Sequence, residues 1–226
     1  MDLIARDFFD RPSEVVAPDL LGCVLEHETA DGLVAVELTE VEAYAGETDP
    51  ASHSYRGMTG RNAVMFGPPG YAYVYFTYGM HFCVNVVCMP AGIPRAVLLR
   101  AGRVIAGEPL ARRRRVPRRP EESQEGRPEE RPPAAIPARD LARGPARLCQ
   151  ALAIDRTQNG VDLCSAASEL RLRPAGTRAG ADAGAGRVIE AGPRVGVSAA
   201  ADVPWRFWVA GDPTVSVYRP YKSRAR

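Results

Sequence analysis

The run Leu33-Val34-Ala35-Val36-Glu37-Leu38-Thr39-Glu40-Val41-Glu42-Ala43-Tyr44 decides how this chain is expected to fold. Its residues alternate as in a β-strand, and the alternation predicts one face made of Val34, Val36, Leu38, Glu40, Glu42 and Tyr44. That face begins apolar and ends with two carboxylates beside an aromatic ring, which is typical of a strand that enters a cleft. A carboxylate in such a cleft suits a general base. On this segment alone, two solvated glutamates at a strand end remain the alternative.

Turn signals on both sides extend this strand into a sheet. Asp31-Gly32 joins it to the alternating residues 23–28 in a strong hairpin pattern. Residues 70–87 are rich in aromatic and β-branched side chains around Gly79 and predict a second hairpin, and residues 96–101, 195–197 and 206–209 predict further strands. Two helices are expected, one at 13–21 broken by Pro18 and one at 144–152. The pattern predicts an α+β fold: a single compact domain over residues 1–226, with a curved, mostly antiparallel, open-barrel-like sheet and a protruding β-hairpin.

Two segments differ from this pattern in composition. Residues 112–140 consist mainly of Arg, Glu and Pro, with almost nothing to bury, and predict a disordered surface insertion. Its opening basic run either contacts phosphates or forms a solvated loop that neutralises itself. The Gly- and Ala-rich residues 175–187 predict another loose loop.

The residue types exclude several classes of function. The formal net charge is +2, and Lys222 is the single lysine, so an internal lysine that forms a Schiff base is excluded. The abundance of arginine suits nucleic-acid contacts, but a codon bias explains it equally well. Five cysteines without a Cys-x-x-Cys pair predict buried free thiols, and three histidines without zinc spacing predict no metal and no cofactor. An acidic N-terminus and the lack of a long apolar run predict a cytoplasmic protein with no membrane partner.

The second hairpin has an unusual tip, Tyr78-Gly79-Met80. Gly79 permits a tight turn, and an exposed tyrosine and methionine at a tip are costly unless something receives them. Proteins that kink DNA insert such apolar wedges between base steps. On the return strand, Asn85 interrupts an apolar run, and it is either a structural strut or a group that reads the edge of a ligand.

Several separate blocks of the chain, in order, resemble the alkyladenine (3-methyladenine) DNA glycosylase family. The likeness covers nearly the whole chain except residues 112–140 and 175–187. The blocks are Glu40-Val41-Glu42-Ala43-Tyr44, His53-Ser54, Arg61-Asn62, Met65-Phe66, Tyr73-Val74-Tyr75, Tyr78-Gly79-Met80, Phe82-Cys83-Val84-Asn85, Leu98-Leu99-Arg100-Ala101, residues 144–154, Arg194-Val195-Gly196-Val197 and Arg206-Phe207-Trp208-Val209.

The resemblance implies a role for each matching position. Glu42 matches the glutamate that activates water, and Arg100 matches a basic residue near the catalytic centre. The residues that enclose the extruded base match Tyr44, His53 and Tyr75, and Asn85 matches the residue that clashes with the amine of a normal guanine. Tyr78 matches the wedge that fills the vacated stack, with Met80 beside it. Arg56 and Arg61 are expected to contact the DNA backbone.

The sequence therefore predicts a monofunctional DNA glycosylase that flips alkylated or deaminated purines out of double-stranded DNA and hydrolyses the N-glycosidic bond. It is expected to act as a monomer during base excision repair and to leave an abasic site. The alternative is a catalytically silent nucleic-acid-binding module on the same scaffold. The choice among 3-methyladenine, 7-methylguanine, hypoxanthine and etheno adducts is left open.

Overall fold

Eight strands form one curled antiparallel sheet in the part of the chain that the computed structural model describes, residues 2–77, 79–116, 136–176 and 186–221. The sheet order is β3-β4-β5-β2-β1-β6, and β8 pairs with both β2 and β7. The bounds are β1 Val24–Thr29, β2 Gly32–Tyr44, β3 Ala72–Thr77, β4 His81–Cys88, β5 Arg95–Ala106, β6 Leu170–Arg173, β7 Ile189–Gly192 and β8 Arg206–Val209.

The long strand β2 is the centre of this sheet. One of its edges pairs with β5 from residue 35 to residue 44, while β1 and β8 share the other edge. Both predicted hairpins are present, β1–β2 and β3–β4, and Gly79 at the second turn has a positive φ of 68°. The predicted α+β fold, a single compact domain with a curved antiparallel sheet, is confirmed.

Three α-helices in the described ranges cover one face of the sheet: α1 Ser13–Asp19, α2 Glu108–Arg115 and α3 Pro145–Leu152. Each contributes apolar side chains to the core, for example Val16 from α1, Leu110 from α2 and Leu148 from α3. Burial of such side chains removes apolar area from water, which is the main stabilising term of the fold. Within those same ranges every helix is too short to cross a membrane.

Strand β2 departs from strict alternation at its centre. Its pairing with β5 shifts register between Leu38 and Glu40 and again between Glu40 and Val41. The apolar core therefore receives Val34, Val36 and Leu38, and then Val41 and Ala43. The prediction that Glu40, Glu42 and Tyr44 share one face with Val34, Val36 and Leu38 was wrong, because the extra residue of the bulge turns Glu40 and Glu42 to the side opposite the core.

A glycine on the neighbouring strand allows the two backbones to approach at this bulge. A Cβ atom on Gly102 would lie 2.3 Å from the backbone oxygen of Glu37 and 2.4 Å from Cγ1 of Val36. Both contacts are far below van der Waals distance, so no other residue fits there without a shift of the strands. The glycine and the bulge together determine which way the two carboxylates face.

Other sequence predictions need correction. Residues 195–197 form a turn around Gly196, with φ of 72°, and not a strand. Residues 112–115, placed in the disordered insertion, belong to α2 because Leu110 and Ala111 anchor that helix in the core. Residues 138–140, also assigned to the insertion, form a short 3₁₀ helix. The strands β6 and β7 were not predicted.

The remaining insertion residues 117–135, the loop residues 177–185, Tyr78 and Lys222 lie outside the described residues. The cysteine prediction can be tested and holds, since all five thiols are free and all except Cys164 are buried.

Candidate active site

A cavity of about 450 Å³ opens beside strands β2 to β5. This volume lies in the range of sites that enclose a small organic molecule. Four rings line it, those of Tyr44, His53, Tyr73 and Tyr75, together with polar groups of Asn85 and Arg100. The turn at residues 195–198 and Pro145 at the start of α3 complete the wall.

The Glu42 carboxylate is fully buried and contacts three residues that line this cavity. Its Oε2 accepts a hydrogen bond from the Tyr44 hydroxyl at 3.0 Å and lies 3.2 Å from Nη1 of Arg100. Its Oε1 accepts a bond from the backbone N–H of Val195 at 2.7 Å. All three partners line the cavity, so the carboxylate is held in one orientation directly behind the cavity wall.

Glu40, the other carboxylate of the bulge, anchors two buried arginines. Its Oε1 accepts bonds from Nε of Arg100 and Nε of Arg206, each at 2.8 Å. Burial would raise the pKa of Glu40, but the charges of Arg100 and Arg206 lower it below its ordinary value. Burial likewise would lower the pKa of Arg100, but Glu42 and Glu40 raise it. Arg100 therefore stays charged and links the two carboxylates.

A second buried ion pair supports the cavity wall from behind. Arg194 contacts Asp49 through both terminal nitrogens, at 2.5 and 2.9 Å, and both side chains are fully buried. The same guanidinium donates to the backbone oxygen of Ala43 and lies 4.7 Å from the centroid of the Tyr44 ring. The pair therefore fixes the position of Tyr44, whose ring packs against the guanidinium of Arg194. It also fixes Val195, because Val195 directly follows Arg194 in the chain.

His53 lines the cavity and packs against two aromatic rings, those of Tyr73 and Tyr75. Its ring centroid is 4.5 Å from that of Tyr75, edge to face, and its Nδ1 lies 3.1 Å from the hydroxyl of Tyr73. Partial burial and the positive charge of Arg61 lower the pKa of His53 below its ordinary value of 6.5. Burial raises the pKa of Tyr75 and of Tyr44, with a further increase for Tyr44 from the charge of Glu42. Both phenols and the imidazole are therefore neutral at pH 7.

Asn85 is 4% exposed, and its side-chain amide donates to the backbone oxygen of Tyr73 at 3.0 Å. This bond crosses the β3–β4 hairpin, as a strut would. The same side chain also lines the cavity. The position of Asn85 therefore agrees both with a structural strut and with a group that contacts a ligand in the cavity.

Three of the expected DNA-contacting residues, Met80, Arg61 and Arg56, lie on the surface. Met80 at the hairpin tip is 66% exposed. Arg61 is exposed, with its guanidinium 5.8 Å from the centroid of the Tyr75 ring, and Arg56 is exposed on the same loop. Across the described residues, no three His, Cys, Asp or Glu side chains are grouped to hold a metal ion.

Similarity to known proteins extends over nearly the whole chain. Its residues 7–213 match the model of a family described as methylpurine-DNA glycosylase. The chain belongs to the methylpurine-DNA glycosylase family. It is accordingly a hydrolase of N-glycosidic bonds in DNA, with a function in DNA repair.

Similar relatives agree over nearly the full length. A protein of Streptomyces avermitilis is 48% identical over 224 residues, which cover 99% of this chain and 95% of the relative. A protein of Leifsonia xyli subsp. xyli is 48% identical over 218 residues, which cover 95% of this chain and 92% of the relative. Both relatives are named as proposed 3-methyladenine DNA glycosylases. The family resemblance predicted from separate sequence blocks is confirmed.

The structure brings together most of the residues that the sequence singled out. Glu42, Tyr44, His53, Tyr75, Asn85 and Arg100 surround one cavity or contact a residue that lines it. Sequence reasoning missed the Arg194–Asp49 pair and the roles of Arg206 and Ser216 as partners of Glu40. The block Arg194-Val195-Gly196-Val197 within the family resemblance was the one available signal for this wall.

Proposed function

We propose that this glycosylase extrudes an alkylated purine from duplex DNA into the cavity, hydrolyses its bond to the sugar and leaves an abasic site. The observation that carries the proposal is the Glu42 carboxylate, held by three donors behind a cavity enclosed by rings. The substrate class follows the names of the relatives, which propose 3-methyladenine. Double-stranded DNA is the partner, and the enzyme acts as a monomer.

Recognition of the base depends on the aromatic wall. Tyr44, His53 and Tyr75 supply faces on which an extruded purine can stack, and each stacked base is worth about 1–3 kcal/mol. Alkylation of a ring nitrogen makes the base cationic, and a tyrosine face attracts a cation more than a neutral ring. Asn85 in the cavity wall clashes with the exocyclic amine of a normal guanine and so excludes that base.

Hydrolysis depends on Glu42. A carboxylate has about four acceptor directions, and the three donors to Glu42 leave one on Oε1 for a water molecule. The water oxygen attacks C1′ of the sugar and its proton passes to Glu42. The glycosidic electron pair leaves with the cationic base, which departs neutral without an acid catalyst. The negative charge of Glu42 stabilises the positive charge that develops on the sugar.

The product is an abasic site in an intact strand. Strand cleavage by this class of enzyme requires an amine that forms a Schiff base, and Lys222 is the single lysine of the chain.

The hairpin tip and two arginines contact the DNA around the lesion. Tyr78 and Met80 of the hairpin tip hold the duplex open. Arg56 and Arg61 contact the backbone near the extruded nucleotide.

The test is the incubation of purified protein with methylated duplex DNA in the presence of EDTA, followed by chromatography of the released bases. Release of free methylated purines, with strands that break only after alkaline heating, is the expected result. The identity of the bases gives the range of lesions. Binding without release would favour the silent nucleic-acid-binding module instead, and strand breaks without alkali would contradict the monofunctional mechanism.

A further inference from the structure

Residues 214–221, which we call the strap, follow the family match that ends at residue 213 and form neither helix nor strand. They are nevertheless fastened to the buried charges of the active site. Ser216 donates to Glu40 from both its backbone nitrogen, at 2.7 Å, and its hydroxyl, at 2.8 Å. The Arg206 guanidinium donates to the backbone oxygen of Ser216 at 2.8 Å, and Thr214 contacts Thr39 at 2.7 Å.

The strap also meets the cavity wall. The backbone N–H of Gly196, a cavity-lining residue, donates to the backbone oxygen of Arg219 at 3.1 Å. The course of the strap past Glu40 and Gly196 therefore places Arg219 beside the cavity. These hydrogen bonds fix the strap against the active site, although the strap has no regular secondary structure.

The outer side of the strap is aromatic and basic. Val217, Tyr218 and Tyr221 are 65%, 41% and 55% exposed, and Arg219 is exposed between the two tyrosines. No carboxylate in the described residues pairs with Arg219. The sequence continues with Lys222, Arg224 and Arg226, and residues 213–226 contain no acidic residue. Basic side chains interleaved with aromatic rings are typical of surfaces that bind nucleic acid.

A neighbouring group adds positive charge. Arg143 donates to the backbone oxygen of Val215 in the strap at 2.9 Å. Together with Arg139 and Arg147 it surrounds a single carboxylate, that of Asp140, at 3.4 to 3.9 Å. Three guanidinium groups around one carboxylate leave an excess of positive charge. This excess lies next to Pro145, which lines the cavity.

We propose that the strap is a DNA-binding element that holds the phosphates next to the extruded nucleotide through Arg219, with Tyr218 and Tyr221 packed on the adjoining sugars. The inference rests on the proposed function, since it needs a duplex with a nucleotide turned into the cavity. Arg219 suits this role because a guanidinium fork matches phosphate oxygens. The strap then couples the grip on DNA to Glu40 and, through Arg100, to Glu42.

The test is binding to a labelled duplex that carries a stable abasic-site analogue, measured over a series of salt concentrations. Arg219→Ala should weaken binding about 3–10-fold at about 100 mM salt and reduce the slope of log Kd against log salt by about one. Arg219→Lys keeps the charge and should restore most of the affinity. Tyr218→Ala with Tyr221→Ala should weaken binding without a change of slope.

Arg113→Ala is the matched control, because Arg113 is an exposed arginine on α2, on the helix-covered face of the sheet. It should leave both affinity and slope unchanged. Wild-type affinity and slope in Arg219→Ala, or an equal loss in Arg113→Ala, would overturn the role of the strap. Failure of the proposed function itself would show differently, as a wild-type enzyme that releases no base.

Discussion

Glu42 takes its orientation from three groups: Tyr44 on its own strand, Arg100 on β5 and the backbone of Val195, which is 153 positions away in the chain. A side chain held in this way needs little reorganisation when charge develops in the transition state, and such preorganisation is a large contribution to catalysis. The same enclosure limits what reaches the carboxylate to a small molecule such as water.

Asn85→Ala should raise the excision of undamaged guanine about tenfold, the effect of about 1.4 kcal/mol in the barrier. It should also lower the free energy of unfolding by about 1 kcal/mol, because the bond to Tyr73 is lost. Asn159→Ala is the control. The side chain of Asn159, like that of Asn85, forms a hydrogen bond with the backbone of β3, in this case with the N–H of Val74, but it does not line the cavity. Guanine release and urea unfolding are the measurements. Unchanged guanine release in Asn85→Ala would leave Asn85 as a strut alone.

His53 should give base release an acidic limb. Its pKa lies below 6.5, so it is neutral at pH 7 and gains a proton only as the pH falls through that lower value. The protonated ring would repel a cationic base, so kcat/KM for methylated DNA should fall in acid. His53→Phe should lack this part of the fall, whereas Tyr73→Phe, which keeps the imidazole, should show it. Identical pH profiles in His53→Phe and the wild type would contradict this account.

At the scale of elements, the β3–β4 hairpin is the part proposed to enter DNA. Its turn carries Met80, which is 66% exposed and makes little contribution to the core. Tyr78→Ala and Met80→Ala should each weaken binding to a duplex with a stable lesion analogue, and Met80→Ala should leave the unfolding midpoint nearly unchanged because its side chain is exposed. Loss of one stacking contact corresponds to about 1–3 kcal/mol for Tyr78. Wild-type affinity in Tyr78→Ala would remove the wedge from the mechanism.

The Arg194–Asp49 pair joins the turn at 195–198 to the loop after β2. Asp49→Ala and Arg194→Met should each lower the free energy of unfolding by about 3–5 kcal/mol, because either change leaves a buried charge without its partner. The double variant should lower it by about 1–3 kcal/mol less than the sum of the two single effects. Urea unfolding measures all three. The exposed pair Arg11–Asp19 is the control, with a coupling below about 1 kcal/mol, and additive costs at Arg194 and Asp49 would contradict the pairing.

The elements that local patterns encode were predictable, and those set by partners were not. Asp31-Gly32 and Gly79 mark the two hairpin turns, because turn chemistry depends on neighbouring residues. The bulge in β2 depends on how β5 pairs with it and on Gly102, about 60 residues away, so strict alternation misplaced Glu40 and Glu42. Two partners of Glu40, Arg206 and Ser216, lie 166 and 176 positions away, and the Arg194 partner of Asp49 lies 145 positions away, so local patterns could not reveal them.

At the scale of the whole molecule, the two faces of the sheet have different contents. The helices and the larger apolar core occupy one face, while Glu40, Glu42, the cavity and a smaller apolar cluster around Met65 and Tyr73 occupy the other. The bulge in β2 makes this division possible within one strand, since it supplies core residues and both carboxylates. The residues of the cavity could be identified from the family resemblance, whereas the buried ion network that supports them needed the folded chain.

The most direct measurement for the central claim is single-turnover release of 3-methyladenine from methylated duplex DNA by Glu42→Gln. Glutamine keeps the size of the side chain but cannot take a proton from water, so release should fall by about 100-fold or more, the contribution of a general base. Binding to a duplex with an abasic-site analogue should stay within about threefold of the wild type. Release at the wild-type rate by a Glu42→Gln protein that binds normally would contradict the account.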